Sequence, residues 1–231
     1  MITARKLTRT YGEAGIRGVD LSVYGGEVLG IVGPNGGGKS LLLLLLAGLV
    51  EPESGEVLLE GTMVHQLAQD AAGAVGLITA NPGLYPQLSG WENLLFFGGL
   101  YGLSGDEVRI RAAPLVADLR LAEVLDRPVA TYSSGMQQKL SLLRALLMSP
   151  RLLLLDEPTA NLDPHSAHTI WKSVRDHADT GLAVVLATHD LSAAECICER
   201  VAYIDGVLGD VVSFDGPRVP PEHPELLGLF E

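Results

Sequence analysis

The glycine-rich stretch Gly33–Ser40, with the sequence GPNGGGKS, constrains the fold of this chain more than any other segment. It fits the pattern G-x-x-x-x-G-K-[ST] and lies between a continuous apolar run, Val28–Val32, and a leucine-rich segment that begins at Leu41. Glycines allow the backbone to fold around an anion with its N–H groups pointing inward, and the N-terminus of the next helix faces the same anion. The pattern therefore predicts a phosphate-binding loop between a buried strand and a helix.

Two acidic residues, Asp156 and Glu157, follow the apolar run Leu152–Leu155. Carboxylates at the end of a buried strand are costly unless they act on a ligand. Beside a phosphate loop, Asp156 is expected to hold Mg²⁺ together with the Ser40 hydroxyl, and Glu157 to polarise an attacking water as a general base. An acidic turn that binds nothing is the alternative, and the nearby phosphate loop argues against it.

The remaining patterns divide the chain into a core and an insertion. Residues 2–30 alternate apolar and polar positions, and Gly55–Gly61 has the pattern of another short strand, so we expect antiparallel strands at one edge of a sheet. The runs Leu152–Leu155 and Ala183–Ala187 are typical of strands buried in a parallel sheet. Residues 86–150 have helical spacing, with a helix start at Ser104.

These patterns predict one α/β domain over residues 1–231, a P-loop NTPase core with a mixed, mainly parallel sheet. The core, with an N-terminal antiparallel β subdomain, is expected to comprise residues 1–85 and 151–213. A helical subdomain is inserted at residues 86–150, and residues 214–231 form a short C-terminal tail.

Composition excludes several classes of function. The longest apolar run, Leu41–Val50, would reach only ~15 Å as a helix, half of the ~30 Å hydrocarbon core of a bilayer, so no segment is expected to cross a membrane. No secretory signal begins the sequence, and Cys196 and Cys198 are spaced to point to different sides of a helix, which favours a reduced, cytoplasmic protein. The formal net charge is −12 and no basic stripe occurs, so neither nucleic acid nor direct lipid binding is expected.

Further motifs, in a fixed order along nearly the whole chain, give it a resemblance to one family. The segment Tyr132–Leu140, YSSGMQQKL, resembles the signature loop of the ATP-binding subunits of ABC transporters. Ala160–Asp163, ANLD, resembles their D-loop, and His189 resembles their switch histidine. Tyr11 stands where the family has an aromatic ring that stacks on adenine, and the two motifs described above correspond to Walker A and Walker B.

The resemblance implies an ATPase with ATP and Mg²⁺ as its ligands, and it implies a role for each matching residue. The catalytic residues would be Glu157 and His189. The ATP-binding residues would be Tyr11, Gly33, Pro34, Asn35, Gly36, Gly37, Gly38, Lys39, Ser40 and Leu41. The residues that meet the ATP of the opposite subunit would be Ser133, Ser134, Gly135 and Met136 in the signature loop. Asp163 would be the D-loop aspartate. Ser40 and Asp156 would bind Mg²⁺.

Several positions depart from the family pattern. Ala80 and Asn81 stand where the family has a glutamine that senses Mg²⁺ or water, and Asn81 is an alternative oxygen ligand for the metal. Ser134 and Met136 replace a glycine and a glutamine, in a form that resembles the export-oriented branch. Leu41 replaces a threonine, which removes a hydroxyl contact to the α-phosphate worth ~1 kcal/mol.

The resemblance also implies partners. These are transmembrane permease subunits, through which the chain would energise transport, in the export direction, from the cytoplasmic face of the cell membrane. A second ATP-binding subunit would complete a homodimer or a heterodimer. One alternative is a soluble, non-transport ABC ATPase that acts in translation or DNA repair. Another is a P-loop kinase or regulatory module, which would have no use for the signature loop or the D-loop.

Two other groups of residues have structural interpretations beside functional ones. His165 and His168 lie three positions apart at a predicted helix start, where a solvated helix end is the simpler interpretation and a metal site the alternative. The aromatic side chains of Trp91–Tyr101 are either core residues or part of the groove that, in the family, receives the membrane subunit.

Overall fold

The fold is taken from a computed structural model, which describes residues 1–70 and 73–213. The strands are β1 (Ile2–Tyr11), β2 (Ala14–Val23), β3 (Val28–Val32), β4 (Ser54–Leu59), β5 (Thr62–Met63), β6 (Val75–Ile78), β7 (Leu152–Asp156), β8 (Ala183–Thr188), β9 (Arg200–Asp205) and β10 (Val207–Ser213). The α-helices are α1 (Lys39–Leu46), α2 (Val64–Asp70), α3 (Gly90–Leu100), α4 (Gly105–Asp118), α5 (Ser134–Leu146), α6 (Pro164–Asp179) and α7 (Leu191–Ile197), with a short 3₁₀ helix at Val129–Thr131. The predicted tail, 214–231, lies outside the described residues.

The larger sheet carries the predicted parallel strands. Its order is β10-β9-β3-β8-β7-β6, and every neighbouring pair is parallel except β10 with β9. The continuous apolar runs form β3, β7 and β8, whose apolar residues are all buried. The α/β prediction with a mixed, mainly parallel sheet is therefore confirmed. Strands β9 and β10 are an addition that the sequence patterns did not indicate.

The N-terminal strands form the predicted antiparallel β subdomain. The strands β2-β1-β4-β5 make a separate sheet of four, whereas the pattern alone had suggested one edge of a sheet. One face of these strands is apolar, and residues such as Ile2, Leu7 and Ile16 bury it against α1 and the parallel sheet. An apolar face of this size is better covered as a layer than as an extended edge.

The apolar core lies on both faces of the larger sheet. Successive residues of β7 point to opposite sides, as the period of a strand requires. Leu152 and Leu154 pack with α1 and the antiparallel sheet, whereas Leu153 and Leu155 pack with the helices of the other face. Because both faces are covered, the carboxyl end of β7 is fixed from two sides, and with it the position of Asp156.

Helices α3, α4 and α5 lie within the stretch that was predicted to be helical. The predicted helix start at Ser104 is confirmed, because the Ser104 side chain accepts a hydrogen bond from the Glu107 N–H and the Glu107 carboxylate accepts one from the Ser104 N–H. Ser89 and Glu92 form the same capping box at the start of α3. Across residues 1–70 and 73–213, the helices are too short or too polar to span a bilayer.

Candidate functional site

A cleft of about 410 Å³ lies at the carboxyl ends of β3 and β7, where ligands bind in open α/β sheets. It brings together three parts of the chain that the sequence analysis singled out separately. The predicted site residues that line it are Tyr11, Asn35, Gly36, Gly38, Lys39, Ser40, Leu41, Asp156 and Glu157. Ala14, Gly15, Leu44 and Val50 also line it, and the sequence analysis missed them because they carry no polar atom that a motif could reveal.

The glycine-rich loop holds its lysine before any anion is bound. The Lys39 side chain is buried, and its Nζ donates to the carbonyl oxygens of Gly33, at 2.7 Å, and Pro34, at 3.0 Å. Gly38 precedes α1 with a φ of 99°, a left-handed conformation that favours glycine, and a Cβ there would lie 2.5 Å from Ile16 Cγ2. Gly38 also has no side chain to cap α1, so the N–H groups of the first turn have no side-chain partner and can bind an anion.

Ser40 and Asp156 fit a magnesium ion by the chemistry of their donor atoms. Both line the same cleft, one following the loop lysine and the other ending β7. Hydroxyl and carboxylate oxygens are the hard ligands that Mg²⁺ prefers, and Mg²⁺ is usually bound by few protein groups with phosphate and water completing its shell. Within residues 1–70 and 73–213 there is no cluster of three or more His, Cys, Asp or Glu side chains that could hold a metal ion.

Glu157 is held by several donors at the carboxyl ends of β7 and β8. Its Oε1 accepts from the His189 backbone N–H at 2.8 Å and lies 2.7 Å from His189 Nδ1, and its Oε2 accepts from Thr188 Oγ1 at 3.0 Å. The backbone of Glu157 has a φ of 48°, which is rare for a non-glycine residue and is a form of strain found at functional sites. An ionised carboxylate only accepts, so Nδ1 of His189 is assigned as the donor in this contact.

The signature-loop residues and Asp163 form a second group, and none of them lines the cleft of their own chain. Ser133 caps α5 by accepting from the Met136 N–H at 3.2 Å, and Asp163 caps α6 by accepting from the Ser166 N–H at 2.9 Å. Hydrogen bonds from Ser166 hold the pKa of Asp163 below its usual range. Gly135 packs directly against Ser166, so the two helix starts are in contact.

Asn81 does not reach the cleft in this structure. Its Oδ1 accepts from the Gly83 N–H at 3.0 Å, and its backbone oxygen accepts from Thr79 Oγ1 at 2.7 Å, so the side chain is used within its own turn. The arrangement therefore does not place Asn81 with the other oxygen ligands. Arg144 of α5 fixes the same turn by donating to the Gly83 carbonyl at 2.6 Å.

The aromatic segment of α3 is divided between core and surface. Trp91 is partly buried against the core, and Arg109 lies over its ring. Phe96 and Phe97 form a cluster with Tyr85, with ring centroids 5.0 to 5.8 Å apart, and Arg144 lies over the ring of Phe97. The side chain of Phe96 is 41% exposed, so the cluster presents an apolar surface beside the turn that contains Asn81.

His165 and the two cysteines have contacts that fit structural roles. The His165 ring lies 3.3 Å from the Arg120 guanidinium, and its carbonyl accepts from Thr169 one turn later in α6. Cys198 is buried directly after α7, and burial raises the pKa of its thiol. Cys196 is partly exposed.

Comparisons with known proteins agree with this geometry. A family model described as "ABC transporter" matches residues 16–160. The linearmycin resistance ATP-binding protein LnrL of Bacillus subtilis (strain 168) is 34% identical over 206 residues, which are 89% of this chain and 66% of that protein. The Nod factor export ATP-binding protein I of Paraburkholderia xenovorans (strain LB400) is 36% identical over 87% of this chain and 66% of its own length. The chain thus spans a little under two thirds of each of these relatives.

The fold of this chain is also similar to that of a solved structure. It is described as the dimeric structure of a post-hydrolysis state of the ATP-binding cassette MJ0796 bound to ADP and Pi. Its TM-score is 0.83 at 29% sequence identity, and the alignment covers 94% of this chain and 100% of that chain.

Proposed function

The chain belongs to the ABC transporter family, and from this premise we propose that it binds and hydrolyses ATP to energise export through separate transmembrane subunits. The observation that carries the proposal is the cleft in which Tyr11, Lys39, Ser40, Asp156 and Glu157 meet. These residues supply a base-stacking ring, a phosphate-binding cation, two metal ligands and a general base. They come from three separate parts of the chain, so their meeting in one cleft is a property of the fold.

The phosphate groups of ATP would bind along the glycine-rich loop. Lys39 already lies within the loop and would exchange its bonds to the Gly33 and Pro34 carbonyls for charge-assisted bonds to phosphate oxygens. Ser40 and Asp156 would hold Mg²⁺, which when bound neutralises charge that develops on the phosphate oxygens. The exposed ring of Tyr11, at the end of β1, would stack on the adenine.

Glu157 would accept the proton of the attacking water. In the structure its Oε1 is engaged by His189, whose side chain is 65% exposed while that of Glu157 is 21% exposed. The exposed ring could turn towards a bound γ-phosphate, and such a turn would leave the His189 backbone N–H as the donor to Oε1 and open a second position on that oxygen for the water. With Nδ1 donating to Glu157, neutral His189 has no proton on Nε2, so it could donate to a phosphate only after turning or gaining a proton.

The signature loop and Asp163 would act on the ATP of a second subunit. They lie outside the cleft of their own chain, and Ser133 with the first turn of α5 offers a hydroxyl and backbone N–H groups for an anion. A second ATP-binding subunit, identical or different, would bring this surface over the cleft. The similar cassette MJ0796 has been solved as a dimer, which supports the arrangement.

The membrane partner would dock on the helical subdomain. The exposed aromatic cluster of Tyr85, Phe96 and Phe97 is an apolar surface beside the turn at Asn81, which joins β6 to the helices. The name of one relative, the Nod factor export ATP-binding protein I, supports the export direction. The chain would then lie at the cytoplasmic face of the membrane through its partner.

The test is phosphate release from ATP with Mg²⁺, comparing the wild-type chain with Glu157→Gln. The glutamine cannot accept a proton, so turnover is expected to fall by roughly 10² to 10⁴, while ATP affinity stays within twofold. Normal turnover by the variant would contradict the proposed base. Export is tested separately, by identifying the membrane protein that copurifies with the chain and by replacing Phe96 with Asp, which should abolish that association without changing ATP affinity.

A further inference from the structure

Thr188, the last residue of β8, makes side-chain hydrogen bonds both to Glu157 and to the turn that carries His189. The residue is 4% exposed, and its hydroxyl makes two hydrogen bonds. It donates to Glu157 Oε2 at 3.0 Å and accepts from the Asp190 N–H at 3.0 Å. The hydroxyl therefore acts as a donor to the proposed general base and as an acceptor for the turn that carries His189.

The two oxygens of Glu157 are held by donors of different kinds. Oε1 is bound by His189, part of an exposed turn that leads into α7. Oε2 is bound by Thr188, which is part of a buried strand with parallel neighbours on both sides. A side chain in the interior of a sheet has one packed position, so Thr188 is the rigid anchor of the carboxylate and His189 the movable one.

We propose that Thr188 is a positioning residue for ATP hydrolysis, whose hydroxyl fixes the rotation of the Glu157 carboxylate so that Oε1 faces the attacking water. The inference rests on the proposed ATPase function. In the step that it serves, the water oxygen bonds to the γ-phosphorus, the bond to the leaving ADP oxygen breaks, and the water proton passes to Oε1. Thr188 itself exchanges no proton.

The hydroxyl is needed for this role, and the shape of the side chain is not. Valine has nearly the shape of threonine, so it would fill the same space in the sheet, but it can neither donate to Oε2 nor accept from the Asp190 N–H. Serine keeps the donor and loses only a methyl group. The carboxylate of the valine variant would be held only through Oε1, by His189, and would lose its anchor at Oε2, so that fewer molecules hold Oε1 towards the water at any moment.

The experiment measures kcat and KM for ATP with Mg²⁺ in Thr188→Val and Thr188→Ser, each in the wild-type and the Glu157→Gln background. Loss of a hydrogen bond to a charged group predicts a fall in kcat of roughly 10- to 100-fold for Thr188→Val, with KM within twofold. Thr188→Ser should restore kcat to within about threefold of wild type. In the Glu157→Gln background, Thr188→Val should cause no further loss, because the group through which it acts is already absent.

Thr169→Val is the matched control. Thr169 is also buried, and its hydroxyl also donates to an oxygen, that of the His165 carbonyl in α6. Its replacement should leave kcat unchanged. This result would show that the loss of a buried threonine hydroxyl does not by itself lower kcat. Thr188→Ala takes the place of the valine variant if thermal unfolding shows that the latter does not fold.

Three results would overturn the inference while leaving the proposed ATPase intact. They are an unchanged kcat in Thr188→Val, a loss of the same factor in both backgrounds, and a serine variant no better than the valine variant. A wild-type chain that binds ATP without hydrolysing it would instead overturn the proposed function, and the inference with it. An unchanged turnover in Glu157→Gln alone would mean that another group is the base.

Discussion

Gly135 lies where α5 begins, in contact with the first turn of α6, and alanine at this position would place a methyl group inside the contact. The new Cβ would lie 2.7 Å from Ser166 Cβ and closer still to Ser166 Oγ, below the distance at which two such carbons pack. Ser166 has little room to move, because its N–H is bound to Asp163 and its side chain is buried. The two helix starts would have to separate.

Overpacking of a buried contact costs about 1 to 3 kcal/mol. The intrinsic preference of a helix for alanine over glycine returns at most about 1 kcal/mol of this. With the full return, we expect Gly135→Ala to lower the free energy of unfolding by about 0 to 2 kcal/mol. Because the signature loop and Asp163 both adjoin the contact, the variant should also lose ATP-dependent dimerisation while its affinity for ATP as a single chain stays unchanged.

Urea unfolding of four proteins measures the effect: wild type, Gly135→Ala, Ser166→Gly and the double variant. Glycine at 166 removes both atoms that the methyl group would meet and keeps the backbone N–H that Asp163 binds. The double variant should be more stable than the sum of the single changes predicts, with a coupling of about 1 kcal/mol or more. Additive effects of the two single changes would show that the contact is not close-packed.

Three further predictions concern other parts of the chain. Lys39→Met should weaken ATP binding more than about tenfold by calorimetry, since a hydrogen bond to a charged group contributes about 1.5 to 3 kcal/mol; equal affinity would contradict the assigned phosphate contact. Hydrogen bonds from Ser104 lower the pKa of Glu107, so this carboxylate stabilises the fold above its unfolded pKa and loses that effect as pH falls through the lower, folded value. The melting temperature of Ser104→Ala should therefore differ most from wild type at neutral pH and less in acid, and a constant difference would contradict the capping box. Iodoacetamide should label Cys196 before Cys198 in the native protein, because Cys198 is buried and burial raises the pKa of its thiol; equal rates would refute this.

The parts of the fold that sequence predicts well are those in which a local pattern and a buried environment agree. The run Leu152–Leu155 can be buried only as a strand covered on both faces or within a helix, and the acidic pair after it marks the strand end. The start of α4 was predicted because Ser104 and Glu107 satisfy each other locally. In both cases the pattern that makes the prediction lies within a few neighbouring residues.

The parts that sequence did not predict depend on contacts between distant residues. In strand β9 buried and exposed residues alternate only partly, and the strand is positioned by its pairing with β3, some 170 residues earlier in the chain. The role of Thr188 depends on the packing of β7 beside β8, and nothing near it in sequence indicates that its hydroxyl meets a carboxylate. Asn81 matched a family position by order alone, and its own turn determines where its oxygen lies.

The central claim is that the cleft binds ATP for hydrolysis between two ATP-binding subunits. Its most direct test is the mass of the Glu157→Gln chain by light scattering, with and without ATP, because this variant is expected to bind ATP without consuming it. The mass should double from the 24.5 kDa of one chain when ATP is added and should stay at one chain with ADP. A mass that remains that of one chain at saturating ATP would contradict an ATP-held homodimer and require a different second subunit.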